Sequence, residues 1–140
     1  MSNFISEVKE VLEEKSLSIQ NMFDDGIISE NTFYKYKHRY PSLKTLIKVA
    51  NYLCVTVDYL FEMSNENNFK PYSLEQKNLY ANIISLIENS GISQRKFSKD
   101  LHYSRVNLLR WKKGMHPSVQ TLIEISKYFN YPINDLLDKE

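Results

Sequence analysis

The stretch ISQRKFSKDLHYSRVNLLRWKKG, residues 92–114, gathers the side chains of this 140-residue chain best suited to chemistry. Arg105, Asn107 and Arg110 lie close together, and Lys112 and Lys113 follow at once. An arginine fork donates to two acceptors at a time, as the edge of guanine offers; an asparagine amide both donates and accepts, as adenine requires. Lysine neutralises phosphate and displaces its counterions. The chemistry implied is noncovalent: hydrogen bonds to base edges and positive charge against a polyanionic backbone.

Other chemistries lack such a constellation. His38, His102, His116 and the lone Cys54 have no metal-ligand spacing. Glu13-Glu14 and Asp24-Asp25 are sequence neighbours on short helices and point apart. Three glycines cannot supply a glycine-rich phosphate loop, and no Ser/His/Asp order suggests a nucleophile elbow. No catalytic residue, cofactor, metal or small-molecule ligand is therefore expected. Cys54 cannot form an internal disulfide, which fits a reducing cytosol, and it reads as a small apolar residue closing a helix. The apolar (42%) and charged (25%) fractions are those of a soluble globular protein. No apolar run approaches the roughly 18–20 residues that span a bilayer. The acidic start, MSNFISEVKEVLEEK, does not read as a signal peptide. A cytoplasmic protein is expected.

The elements that must position the recognition residues are written twice. PSLKTLIKVANYL at 41–53 returns as PSVQTLIEISKYF at 117–129. Upstream the match continues with an offset shorter by one: Ser18 on Ser93, Met22 on Phe97, Ser29 on Ser104, Phe33 on Leu108 and Tyr36 on Trp111. Apolar spacing within each copy is helical. Phe4, Val8, Val11 and Leu12 correspond to Leu79, Ile83, Leu86 and Ile87. Further helices are expected at 18–25 and 93–101, 29–38 and 104–113, and 42–53 and 118–129, with last turns over 57–62 and 133–138. Ser18, Ser29, Ser42, Ser93, Ser104 and Ser118 stand where an N-cap is wanted. No strand pattern appears. Trp111 and Tyr36 fall on the apolar stripe and read as core, whereas Tyr34 and Tyr40 are expected at the surface as interface candidates.

A capped short helix, a brief turn at His102-Tyr103 and a second helix from Ser104 make a helix-turn-helix, whose second helix fits a DNA major groove. Residues 75–140 resemble the Cro/repressor-type (XRE-like, lambda-repressor-like) family. The resemblance rests on Ile92-Ser93-Gln94, Phe97, Leu101, Tyr103-Ser104, Leu108, Trp111, Gly114, Thr121-Leu122 and Leu136-Leu137. It implies a five-helix fold and a sequence-specific transcriptional regulator. The implied DNA contacts are Ser93, Gln94, Ser104, Arg105, Val106, Asn107, Arg110, Lys112 and Lys113, with Gln94 on phosphate. His102 departs from the small residue often found in that turn.

The N-terminal half is similar to the same family, but Ile19 replaces Gln94 and Arg39 replaces Gly114. Its exposed face is expected at Ser29, Glu30, Asn31, Thr32, Lys35, Lys37 and Arg39, with the register of DDGII against DLHY left open. The halves differ in charge: residues 1–68 carry −3 and residues 69–140 carry +4.

The expected architecture is all-α: two tandem five-helix lambda-repressor-like domains, 1–63 (divergent, acidic) and 74–140 (basic), joined by a polar linker at 64–73. The expected function is double-stranded DNA binding for transcriptional regulation, repression foremost, through the helix at 104–113. The N-terminal domain either reads a second DNA half-site through Ser29, Glu30, Asn31, Thr32, Lys35, Lys37 and Arg39 or is turned toward homodimer or protein contact. The rival expectation is a protein-interaction module, or an antitoxin-like adaptor, with its DNA-reading surfaces vestigial.

Overall fold

A computed structural model describes residues 4–140, so the first three residues of the expected N-terminal domain lie outside it. The described residues are helical, with one isolated antiparallel bridge between Tyr72 and Lys139. The chain divides into two compact units, one running to Leu74 and including Lys139–Glu140, the other Glu75–Asp138.

In the first unit, α1 (Phe4–Glu14), α2 (Ile19–Asp24), α3 (Glu30–Tyr34), α4 (Leu43–Leu53) and α5 (Val57–Leu60) follow one another. Phe4, Val8, Phe33, Leu46, Ile47 and Leu53 are almost wholly buried and form its core. In the second, α6 (Leu79–Asn89), α7 (Gln94–Leu101), α8 (Arg105–Lys112) and α9 (Val119–Phe129) precede a 3-10 turn at Ile133–Asp135. Its core holds Leu79, Ile83, Ile87, Phe97, Leu122 and Ile125.

The six serines read as caps all act as caps. Each accepts a bond from the backbone N–H three residues on: Asn21 for Ser18, Thr32 for Ser29, Thr45 for Ser42, Lys96 for Ser93, Asn107 for Ser104 and Thr121 for Ser118. Such a cap satisfies a donor that the helix cannot, worth about 0.5–2 kcal/mol. A second feature also recurs at matched positions. Tyr52 on α4 donates to Asp25 at 2.9 Å, and Tyr128 on α9 donates to Asp100 at 2.6 Å.

The units differ at the helix after the turn. A helix expected over 29–38 is α-helical only from Glu30 to Tyr34, then tightens to a 3-10 turn at Lys35–Lys37, where Tyr36 is non-helical (φ −88°, ψ 24°). The matching α8 ends differently, because Gly114 takes φ +100° and lets the chain leave cleanly. Arg39 occupies that position in the first unit, where no described residue from 30 to 53 has positive φ. Burial of the Tyr36 ring, edge-on to Phe4 at 5.8 Å, completes the distortion.

Three other expectations change. Tyr34 and Tyr40 are half-buried: Tyr34 packs edge-on to Phe33 at 5.2 Å and Tyr40 edge-on to Phe61 at 5.6 Å. Cys54 closes α4 as expected but is exposed, in the left-handed region at φ 54°. Residues 64–73 are bound into the first unit. Asn67 accepts from the Thr56 N–H at 2.9 Å, and Asn51 brackets the Tyr72 backbone with bonds of 2.9 and 3.0 Å. The buried Tyr72 hydroxyl accepts from the Val57 N–H at 3.0 Å. Polar composition suggested a linker, but here the asparagines act as backbone clamps.

Candidate nucleic-acid interface

The second unit builds its site from α7, a three-residue turn at 102–104, and α8. Ser93 caps α7, which leaves the exposed Gln94 and Arg95 on its first turn, where amide N–H groups lack intrahelical partners. The helix stops at His102, which adopts the left-handed region (φ 60°, ψ 36°) while the Tyr103 N–H donates back to the Ser98 carbonyl at 2.8 Å. Histidine tolerates this conformation better than β-branched residues do. Ser104 then caps α8 through the Asn107 N–H at 3.4 Å.

Tyr103 fixes the turn. Its ring meets Trp111 edge-on at 5.7 Å and Phe97 at 6.1 Å, and its hydroxyl donates to Glu124 on α9. Burial foremost, with that hydrogen bond, pushes the phenol up to about 12. On α7, Asp100 accepts from Tyr128 and pairs with Lys96 at 3.1 Å, and both contacts hold its carboxyl below its ordinary range.

Leu108 and Trp111 are buried, 7% and 8% exposed, and anchor α8 inward. Helical spacing turns Val106, Leu109, Arg110 and Lys113 roughly 100–200° away from Leu108, with Arg105 and Lys112 flanking it three and four residues away. Arg105, Leu109 and Lys112 form one line, and Val106, Arg110 and Lys113 form the next. All six are exposed, and among the described residues no ion pair engages the four cations. Asn107 lies one turn before Trp111 and is only half-buried, at the border of that face. The basic residues Arg110 and Lys112 occupy the last turn, where the helix dipole favours them.

Leu109 was not among the residues singled out in the sequence, although it is 55% exposed; Val106 is 53% and Met115 62% exposed. Spacing carried the signal. A residue about 100° from Leu108 and 200° from Trp111 faces outward, whatever its type.

In the first unit the corresponding residues share a shorter surface. Ser29, Glu30, Asn31, Lys35, Lys37 and Arg39 are exposed, and Thr32 is half-buried. The Ser29 hydroxyl donates to Thr32 at 2.8 Å, and the Arg39 guanidinium lies over the Tyr36 ring at 5.9 Å. Ile19, which takes the place of Gln94, is half-buried and has no donor to offer. Among the described residues no group of histidine, cysteine or carboxylate side chains could hold a metal ion, and no helix is long and apolar enough to cross a membrane.

A family model described as Helix-turn-helix matches residues 83–136, which lie within the second unit. Over 76 residues the chain is 36% identical to a protein of Bacillus subtilis (strain 168) named "Uncharacterized HTH-type transcriptional regulator YqaE". That match spans 53% of this chain and 64% of the relative. No solved structure matches the chain.

Proposed function

We propose that this protein is a sequence-specific, double-stranded DNA-binding transcriptional regulator of the cytoplasm that lays α8 in the major groove. One observation carries the reading: Leu108 and Trp111 are buried while Arg105, Arg110 and Lys112 of the same helix, and Lys113 at its C-cap, stand exposed. The match of residues 83–136 to a helix-turn-helix model supports it, as does the name of the bacterial relative.

In this reading Arg105 and Arg110 address base edges, with Asn107 at the margin of the same surface. Val106 and Leu109 suit the C5-methyl of thymine, the one apolar feature of the major groove. Gln94, Ser93 and the first turn of α7 meet phosphate, and Lys112 and Lys113 add charge. Ser104 fixes where α8 begins. Bound at a promoter, the protein acts as a repressor by occupancy.

The first unit is read as a divergent second copy. The matched serine caps support this, as does the recurrence of the Tyr52–Asp25 bond as Tyr128–Asp100. Its α3 spans only five residues, and Glu30 stands at its start. That favours contact with protein, a second copy of the chain included, over insertion in a groove.

The test is selection of bound duplexes from a random pool with the full chain, followed by titration at two salt concentrations. A regulator yields an enriched motif and affinity that falls steeply with salt. No binding to any duplex at low salt would replace this reading with a protein-interaction module.

A further inference from the structure

Few large apolar side chains are exposed among the described residues, and three of the five that are lie within 106–115. Val106 is 53%, Leu109 55% and Met115 62% exposed. Scattered singly, such residues need no explanation; gathered on one surface, they mark an apolar contact still to be made.

Backbone geometry brings the three together. Val106 and Leu109 stand on neighbouring turns of α8, about 4.5 Å apart along its axis. Met115 lies beyond the helix, yet its N–H donates to the Arg110 carbonyl at 3.0 Å, and the Gly114 N–H donates to the Trp111 carbonyl at 3.1 Å. With Gly114 at φ +100°, these two bonds form a helix-ending motif that turns the chain back over the last turn. That motif sets the residue after the glycine toward those five and six before it, here Arg110 and Leu109. Downstream, Pro117 is buried and Ser118 caps α9 through the Thr121 N–H at 3.1 Å. The segment carrying Met115 is therefore held at both ends.

Charge indicates what covers these side chains. Arg105, Arg110, Lys112 and Lys113 border them, all exposed. A duplex answers both features: phosphates for the cations and, in the major groove, the C5-methyl of thymine for the apolar tips. Successive nucleotides along a strand are about 3.4 Å apart, close to the axial spacing of Val106 and Leu109. The unbranched, polarisable methionine side chain suits a contact made beyond the rigid helix.

Resting on the reading of α8 as the DNA-reading helix, we propose that Val106, Leu109 and Met115 form one apolar strip that packs on the C5-methyl groups of neighbouring thymines. The operator class is a half-site with a run of thymines, and Met115, outside the helix-turn-helix, is a specificity-determining residue.

The test uses the full chain and the duplex enriched from a random pool. Each thymine in turn is replaced by uracil, which removes only the methyl. Wild-type protein is expected to lose affinity about fourfold at neighbouring thymines, the value of one buried methyl group. Met115→Ala, a change at an exposed side chain, should lose that discrimination at one end of the run and keep it elsewhere. Cytosine placed at the same end should bind wild-type protein about fourfold more tightly when methylated at C5, and should bind Met115→Ala equally in both forms. An enriched motif without neighbouring thymines, or indifference of the wild type to uracil throughout, overturns the proposal and leaves α8 as a DNA-reading helix. Discrimination kept at every position by Met115→Ala also overturns it. No enriched motif at all removes the DNA reading itself, and this proposal with it.

Discussion

The hydroxyl of Tyr103, in the turn between α7 and α8, donates to the Glu124 carboxylate on α9 while its ring packs edge-on against Trp111. One residue thus ties the turn, the inward anchor of α8 and the following helix together. Tyr103→Phe keeps the ring contacts and removes the bond. Because Glu124 is exposed, the loss should be about 1 kcal/mol, read by denaturant unfolding. The phenol's folded value lies above its ordinary one, so this contribution is whole below pH 10 and fades as pH climbs toward 12. Spectrophotometric titration should show the variant losing one late-ionising tyrosine while the raised Tyr52, Tyr59 and Tyr128 remain. An unchanged profile would mean the hydroxyl is solvated.

Glu7 makes stability depend on pH in the opposite sense to most carboxylates. Its folded value is raised from 4.5 to about 7, so the native state holds the proton more tightly. Its contribution is whole at acid pH and is lost as pH rises through about 7, by up to about 3 kcal/mol. Glu7→Gln should flatten this dependence and stabilise the protein near pH 8. Equal unfolding midpoints for the two proteins at about pH 5 and pH 8 would refute it.

At the proposed interface, Arg105→Ala should cost about 1–3 kcal/mol of binding and relax preference at one base position. A uniform loss on every sequence would make Arg105 a phosphate anchor. Lys113→Ala should reduce the slope of log affinity against log salt by about one unit, and an unaltered slope would remove it from the interface.

Leu109 yields a test at the scale of a single methyl group. Thymine replaced by uracil in the selected site loses only the C5-methyl, and burying such a group contributes about 0.8 kcal/mol. Wild-type protein should lose binding of that order at the contacted position, and Leu109→Ala should no longer distinguish the two bases. Indifference of the wild type at every thymine would exclude the contact.

Backbone conformation supplies a stability pair. Gly114 has φ +100° with nothing within 4 Å of an added Cβ, so Gly114→Ala meets only backbone strain, about 1–2 kcal/mol. His102→Gly relieves strain of the same kind at φ 60° and should stabilise by about 0.5–1 kcal/mol. Thermal unfolding reads both, and shifts of the same sign would show that something other than φ controls them.

Much of this was legible from residue order because it is local. A serine hydroxyl reaches the amide three residues on wherever a helix starts, so all six caps could be named without coordinates. The inward setting of Leu108 and Trp111 follows from their spacing, as does the outward setting of Val106 and Arg110. Other features depended on partners distant in the chain. Tyr36 lies where Trp111 has its counterpart, yet its packing on Phe4 and the lack of a glycine at 39 end α3 early. The asparagine-rich stretch 64–73 looked unstructured until Asn51 and Val57 supplied its partners.

Glu7 marks the same boundary: an acidic residue on an amphipathic helix is assigned to solvent by type, but α5 and the residues after it cover it. Residue order alone therefore determined most of the helices and the six serine caps, because those rest on bonds and spacings within a few residues, while the early end of α3 did not. Tertiary structure alone decided which side chains are covered and which carboxylate lacks a partner among the described residues, because burial depends on what the rest of the chain brings against it.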